Sequence, residues 1–123
     1  MQEAISNALA KIERLSKIKP LKIISNFDTD GITSAAIFGR MFQRWHKPYS
    51  LQIIKGLEES FIATLPETHV LIFLDCASES LQALAQKKTE MFIFDHHEVT
   101  TDIPANITMV NPHLTKAEPL SSA

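Results

Sequence analysis

The sequence of 123 residues fits one domain and combines a formal net charge of −2 with 45% hydrophobic residues. This balance excludes a strongly basic surface that binds nucleic acid by charge alone, and the single cysteine, Cys76, excludes an internal disulfide. No apolar stretch has the length of a membrane span or the pattern of a signal peptide, so we expect a cytoplasmic protein that is not bound to a membrane.

The first predicted elements are a helix, a strand and a second helix. Apolar residues recur at helical spacing from Gln2 to Ile18, and Pro20 ends that helix. The short β-favouring run from Leu21 to Ser25 predicts a strand, and the polar segment from Asn26 to Gly31 predicts a loop. The apolar stretch from Ile32 to His46 predicts the second helix.

The rest of the chain alternates short apolar runs with helical segments. The predicted elements are, in chain order, a strand at Leu51–Ile54, a helix at Leu57–Leu65, a strand at Val70–Leu74, a helix at Ser78–Lys88, and strands at Met91–Phe94 and Ile107–Val110. The third strand is apolar throughout, which indicates burial on both faces. Strands that alternate with helices predict an α/β fold, with a mainly parallel five-stranded sheet flanked by helices.

Polar side chains follow four of the predicted strands at the point where each strand ends. They are Asp28 and Asp30 after the first strand, Asp75 after the third, Asp95, His96 and His97 after the fourth, and Asn111 and His113 after the fifth. Because parallel strands share one carboxyl edge, we expect these side chains to lie together. Grouped carboxylates need cations to stay ionised, and oxygen and imidazole ligands favour manganese, magnesium or iron. This pattern predicts a two-metal phosphohydrolase.

Each of these motifs has a simpler structural explanation when it is taken alone. Asp28 to Gly31 suits an ordinary turn, and Asp75 could cap a helix that begins near Ser78. A pair of histidines such as His96 and His97 is common in surface loops. All three motifs occur at equivalent strand ends, however, and their combination favours a functional site.

The same motifs resemble those of the DHH family of phosphoesterases, from Leu21 to the C-terminus. The segment from Asp28 to Ser34 resembles the first motif of the family, Asp75 its second, and Asp95-His96-His97 the third, which gives the family its name. Residues 110–113 are similar to the segment that follows in RecJ-like members, particularly archaeal ones. The resemblance implies a Rossmann-like DHH domain that hydrolyses single-stranded DNA or RNA from an end.

The resemblance also implies a catalytic role for five residues. Asp28 and Asp30 would each bind one of two manganese ions, which magnesium could replace, and Asp75 would bridge the two ions. His96 would be a further metal ligand, and His97 would contact the scissile phosphate.

Other residues would support this set. Asp95 would orient the two histidines, and Asn111 and His113 would contact the substrate. Asn26 stands two residues before the first aspartate, where many members carry a histidine that binds a metal ion. An amide oxygen is a weaker ligand than imidazole, so one metal site could be loose or lost.

The end of the chain departs from the family pattern. Family members continue with a fourth motif, which adds a metal-binding aspartate, and with a second domain that grips the substrate. Residues 119–123 resemble the beginning of that fourth motif, cut short. We therefore expect residues 1–123 to be a DHH domain without the second domain. It would be a fragment or one piece of a split enzyme, with a separate subunit as partner and low activity alone.

Three other functions remain open from the sequence. The chain could be a phosphodiesterase of small nucleotides, such as nano-RNA or cyclic dinucleotides. It could be a weakened relative that acts as a scaffold among replication proteins, although its metal-site residues are retained. A phosphatase of the haloacid-dehalogenase type would use Asp28 as nucleophile. That family usually has threonine directly after Gly31, where this chain has Ile32, and it leaves the Asp95-His96-His97 motif unexplained.

Overall fold

The computed structural model of the protein describes residues 2–112, which form one parallel sheet with helices packed on its faces. The elements are α1 (Gln2–Leu15), β1 (Leu21–Asn26), α2 (Thr29–Arg44), β2 (Tyr49–Ile54), α3 (Glu59–Thr64), β3 (Val70–Leu74), α4 (Leu81–Leu84), β4 (Met91–Phe94) and β5 (Ile107–Val110). The strand order is β2-β1-β3-β4-β5, and neighbouring strands are parallel. The predicted α/β fold with a parallel five-stranded sheet is confirmed.

Each face of the sheet carries its own apolar core. Ile23 and Ile72 belong to a core that α1 and α2 cover, whereas Ile24 and Phe73 belong to one that α3 and α4 cover. All residues of β3, the central strand, are buried, as its apolar sequence predicted. None of the helices among residues 2–112 combines the length and the apolar character needed to cross a bilayer.

The first helix differs from the prediction at one end and the second at both ends. α1 ends at Leu15 rather than at Ile18, which is 76% exposed, so a further turn would bury little apolar surface there. α2 begins at Thr29 rather than at Ile32, because the carboxylate of Asp28 accepts the N–H of Gly31 at 3.0 Å and caps the helix. The first turn of α2 therefore includes residues that the sequence assigned to a loop. α2 ends at Arg44 rather than at His46, whose φ of 60° lies in the left-handed region.

The predicted helix from Ser78 to Lys88 is wrong over most of its length. α4 spans only Leu81–Leu84, and the loop before it contains Asp75 and Ala77 with φ angles of 59° and 86°. α4 begins late because Ser80, with φ −119° and ψ 20°, is not helical. It ends early because the N–H groups of Gln86 and Lys87 donate to carbonyls three residues before them, which makes tighter turns than an α-helix. The N-cap of α4 is Ser80, and the suggestion that Asp75 caps this helix is also wrong.

Smaller differences concern β1, β2 and α3. β1 ends at Asn26, one residue after the predicted Ser25, because Asn26 still pairs with Ile54 of β2. β2 begins at Tyr49, two residues before the predicted Leu51, and α3 begins and ends inside its predicted range. Tyr49 belongs to β2 because it pairs with Leu21 of β1, and its ring packs on Phe42 of α2 with 5.7 Å between the ring centroids. β3, β4 and β5 have their predicted bounds.

The register of the sheet brings the ends of its strands together. Ser25 pairs with Leu74, Leu74 with Phe94, and Phe94 with Val110. The ladder continues one step further, because the backbone N–H of Asp75 donates to the carbonyl of Phe94 and that of Asp95 to the carbonyl of Val110. The residues that follow these strands therefore emerge side by side at one edge.

Candidate metal centre

Asp75 lies at the middle of a polar cluster on this edge. It follows β3 directly and is 5% exposed. Its Oδ1 atom lies 2.8 Å from Nε2 of His96, and its Oδ2 atom lies 3.4 Å from Nδ2 of Asn26. The two oxygens of one carboxylate therefore face two different groups of side chains.

We call the first group the imidazole side of the cluster; it consists of Asp30, His96 and Oδ1 of Asp75. The Nε2 atom of His96 lies 3.8 Å from Oδ2 of Asp30, and both of these side chains are more than half exposed, at 56% and 74%. An imidazole nitrogen held between two carboxylates can carry a proton or bind a metal ion. Solvent and ions can therefore reach this side of the cluster.

We call the second group the amide side; it consists of Asn26, Asp28 and Oδ2 of Asp75. Nδ2 of Asn26 lies 3.3 Å from Oδ2 of Asp28 and 3.4 Å from Oδ2 of Asp75. The other oxygen of Asp28 is the acceptor that caps α2. Asn26, at the end of β1, thus connects two carboxylates that come from different parts of the chain.

Asp95 contacts the ring of His97 and the backbone of His96. Its Oδ1 atom accepts hydrogen bonds from Nδ1 of His97 at 2.6 Å and from the backbone N–H of His96 at 2.8 Å. Its Oδ2 atom accepts the hydroxyl of Ser78 at 2.6 Å. The rings of His96 and His97 stack with 4.6 Å between their centroids. Asp95 therefore contacts both residues of the histidine pair, and the orienting role expected of it stays a prediction.

The titrating groups of the cluster influence one another. Burial, followed by the hydrogen bond and the charge of Asp28, raises the pKa of Asp75. The hydrogen bond from the backbone of Gly31 lowers the pKa of Asp28, and its contact with Asp75 lowers it further. Burial alone lowers the pKa of His97, but the hydrogen bond and the charge of Asp95 outweigh burial and raise that pKa. The cluster therefore favours a proton, or another cation, between the carboxylates.

The donor set suits a hard divalent cation. Ligand atoms of Asp75, Asp95, His96 and His97 all lie within 4.8 Å of one another. Asp95 is the poorest ligand of these, because both of its oxygens already accept hydrogen bonds. Burial raises the pKa of the Cys76 thiol to about 12, and its Sγ atom donates to the carbonyl of Ile24 at 3.8 Å, so this thiol is not poised as a nucleophile. Carboxylate and imidazole ligands without thiolate fit manganese or magnesium.

Asn111 and His113 were predicted to contact the substrate. Asn111 is 1% exposed, and its Nδ2 atom donates to the carbonyl of His97 at 2.8 Å. Asn111 therefore touches the backbone of the histidine pair, and a contact with substrate stays a prediction. His113 lies outside the described residues.

Sequence reasoning missed Lys55 and Ser78. Both line a cavity of about 250 Å³ that opens beside Asp75 and Asp95. Lys55 directly follows β2, whose carboxyl end lies at the same edge of the sheet, and this position could have identified it. Ser78 carries no sequence signal, because a single serine in a loop is compatible with many roles.

A family profile matches most of the chain. The profile of the DHH family, N-terminal domain, matches residues 21–123, a stretch that contains every residue of the cluster. The chain belongs to the DHH family. This membership overturns the haloacid-dehalogenase alternative, which would have made Asp28 a nucleophile.

Solved structures share the fold of this DHH domain. RecJ from Thermus thermophilus in complex with Mn²⁺ has a TM-score of 0.69 and 22% identity, over 91% of this chain and 17% of that one. An exonuclease RecJ bound to manganese has a TM-score of 0.72 and 20% identity, over 88% and 32% of the two chains. CDC45 from Entamoeba histolytica has a TM-score of 0.70 and 19% identity, over 87% and 24%. At these identities the likeness shows the fold alone.

A curated relative comes from Methanocaldococcus jannaschii and is itself uncharacterised. It is 29% identical to the DHH domain over 102 residues, which cover 76% of this chain and 24% of the relative. The chain thus spans about a quarter of the length of this relative.

Proposed function

We propose that the protein is a metal-dependent phosphodiesterase of the DHH family that hydrolyses single-stranded DNA or RNA. The observation that carries this proposal is the position of Asp75, whose two oxygens face the imidazole side and the amide side of the cluster. A carboxylate placed in this way is suited to bridge two cations. The RecJ structures solved with manganese support Mn²⁺ as the ion, with Mg²⁺ as the alternative.

Asp28, Asp30, Asp75 and His96 are the residues that would hold the metal ions. Bound ions would activate water and stabilise the charge that develops on the phosphorus oxygens. Asp75 would hold both ions, and its burial at the ends of β3 and β4 would keep its carboxylate in one orientation.

His97 would act on the substrate directly. Asp95 can only accept at the 2.6 Å contact, so the Nδ1 atom of His97 must donate there. The raised pKa of His97 widens the pH range in which the ring is protonated, and in that form its Nε2–H would donate to a phosphate oxygen. The side chain is 48% exposed, so a substrate can reach it.

The cavity beside the cluster offers a place for a neighbouring phosphate. Its walls include the acidic side chains of Asp75, Glu79 and Asp95. Among the described residues that line it, Lys55 supplies a positive charge through its ammonium group. A lysine ammonium group beside a metal centre is well suited to bind phosphate. Lys55 would therefore hold the nucleotide next to the scissile bond.

The test is the Asp75→Asn variant, assayed with Mn²⁺ on end-labelled single-stranded DNA and RNA, a dinucleotide and a cyclic dinucleotide. Asparagine tolerates the left-handed backbone at this position and removes one ligand oxygen. We expect activity to fall by at least about 100-fold, the scale of losing one preorganised electrostatic contact. Asp102→Asn makes the same chemical change at an exposed position and should leave activity unchanged. Full activity of Asp75→Asn would refute the mechanism. If the wild-type protein cleaves the dinucleotide and the cyclic dinucleotide but not the longer DNA and RNA, it is a small-nucleotide phosphodiesterase.

A scaffold function among replication proteins is the second candidate. Two observations favour it, the similarity of the fold to CDC45 and the hydrogen-bond donor of Asn26 on the amide side. The carboxylates of the cluster argue against it, because they repel one another without a cation. Calorimetry separates the two functions. We expect an enzyme to bind Mn²⁺ with a micromolar or lower dissociation constant. A folded protein whose dissociation constant for Mn²⁺ is about millimolar or higher would favour the scaffold.

A further inference from the structure

We infer that the two sides of the metal centre are unequal: the imidazole side binds a divalent cation first, and Asn26 keeps the amide side weak. This inference rests on the proposed function, because it assumes that the cluster binds metal ions. It assigns Asn26 a positioning role, as a hydrogen-bond donor to the two carboxylates and not as a ligand.

The orientation of the Asn26 amide is fixed by its other end. The backbone N–H of Phe27 donates to Oδ1 of Asn26 at 2.9 Å. Only the oxygen of a side-chain amide can accept this bond, so the NH₂ group must point the opposite way, toward the carboxylates. Presenting the oxygen to a metal ion would require the amide to turn over and would leave the N–H of Phe27 without this acceptor.

The amide side therefore presents a donor where a cation needs an acceptor. Nδ2 of Asn26 donates to Oδ2 of Asp28 at 3.3 Å and to Oδ2 of Asp75 at 3.4 Å, so its protons face the two carboxylates in long hydrogen bonds. A cation at this place must displace those protons. The Oδ1 atom of Asp28 offers no easy substitute, because it already caps α2.

The imidazole side presents a fuller set of ligands. Asp30 and Asp75 each contribute a carboxylate oxygen, and His96 contributes Nε2, which lies 2.8 Å from one of these oxygens and 3.8 Å from the other. Two carboxylates with an imidazole form a good site for Mn²⁺. The contact of Nε2 with Oδ1 of Asp75 also holds a proton, but an imidazole nitrogen can release that proton and bind a metal ion through its lone pair. The NH₂ group of Asn26 cannot become a ligand in this way, so the affinity of the amide side must be lower.

Two measurements test whether the imidazole side binds Mn²⁺ before the amide side. They are a calorimetric titration of the metal-free protein with Mn²⁺ and a parallel titration monitored by electron paramagnetic resonance. For the wild-type protein we expect one tight ion and a second that binds at least about tenfold more weakly, the scale on which neighbouring groups change metal affinity. We call the binding of the tight ion the first event and the binding of the weaker ion the second event. Replacing Asn26 with a side chain that can bind a metal ion should strengthen the second event by about tenfold or more and leave the first unchanged. Asn26→His supplies a nitrogen ligand, and Asn26→Asp is a second variant in case histidine disturbs folding.

Two controls accompany these variants. Asn26→Ala removes the donor without adding a ligand and should leave the second event weaker than in Asn26→His. Asn7→His adds an imidazole on the exposed surface of α1 and should change neither event.

The outcomes separate this inference from the proposed function. Two ions of equal affinity in the wild-type protein would overturn the inference and leave the two-metal proposal standing. Second events that stay weak in both Asn26→His and Asn26→Asp, with circular dichroism showing folded protein, would also overturn it. No binding below about millimolar would instead overturn the proposed function itself.

Discussion

His97 and Asp95 form a hydrogen-bonded pair, and the protonation of His97 in this pair can be measured directly. Burial lowers the pKa of His97, but the hydrogen bond and the charge of Asp95 raise it more, so the folded protein should titrate above the ordinary value of about 6.5. We predict that Asp95→Asn lowers this pKa, measured from the ring signals of His97 in NMR spectra. Asp102→Asn should leave it unchanged. Titration of wild-type His97 at or below the ordinary value would contradict the prediction.

The same pair makes the stability of the protein depend on pH. The pKa of His97 is higher in the folded than in the unfolded chain, so its contribution to the free energy of unfolding is full below about pH 6.5. That contribution is lost as the pH rises through the folded pKa. The effect is small because 48% of the side chain is exposed to solvent.

Lys55 is the residue whose charge should matter most for substrate binding. We predict that Lys55→Glu, made in the Asp75→Asn background to prevent hydrolysis, weakens binding of single-stranded DNA by about tenfold at 0.1 M salt. The slope of the logarithm of the binding constant against the logarithm of the salt concentration should become smaller by about one, because one phosphate contact is lost. Fluorescence anisotropy measures both quantities. Lys17→Glu makes the same charge change in the loop between α1 and β1, near the amino ends of the strands. If this variant loses as much affinity for DNA as Lys55→Glu does, only the net charge matters.

At the scale of elements, the junction of β1 and α2 depends on Gly31. A Cβ atom on this residue would lie 2.1 Å from the carbonyl oxygen and 2.7 Å from the carbonyl carbon of Asn26, and backbone atoms cannot move aside easily. We predict that Gly31→Ala lowers the free energy of unfolding by about 1–3 kcal/mol, measured by urea denaturation, and weakens Mn²⁺ binding. The matched variant is Gly56→Ala, whose Cβ would meet no atom within 4 Å and should change stability by less than about 0.5 kcal/mol. Equal effects of the two substitutions would contradict this account.

The elements also show what could be read from the sequence. β3, β4 and β5 were predicted with their observed bounds, because each is an apolar run that ends at a polar residue. The start of α2 was missed because a capping Asp28 looks like a loop residue in the sequence. α4 was predicted too long because the turns after Leu84, closed by hydrogen bonds from Gln86 and Lys87 to carbonyls three residues before them, leave no pattern in the sequence. Contacts such as that between Asn26 and Asp75, 49 residues apart, arise only from the folded sheet.

At the scale of the whole molecule, metal binding and folding are linked. An ion that binds only the folded chain stabilises it by about 2.7 kcal/mol when its free concentration is about 100 times the dissociation constant. For a domain of this size that corresponds to a rise in Tm of roughly 10 °C. We predict such a rise with Mn²⁺ in differential scanning calorimetry, and little or none in Asp75→Asn. An equal rise in both proteins would mean that the ions bind elsewhere.

The strand order has a consequence for a chain that is still being made. β1 lies between β2 and β3, so a chain that emerges from the ribosome with β1 has neither neighbour yet. Asp28 leaves the tunnel well before Asp75, and His96 follows only after β4. A nascent polypeptide therefore displays Asp28 and Asp30 before Asp75 and His96 exist outside the tunnel, and it lacks the complete ligand set for tight metal binding until β3 and β4 have joined the sheet.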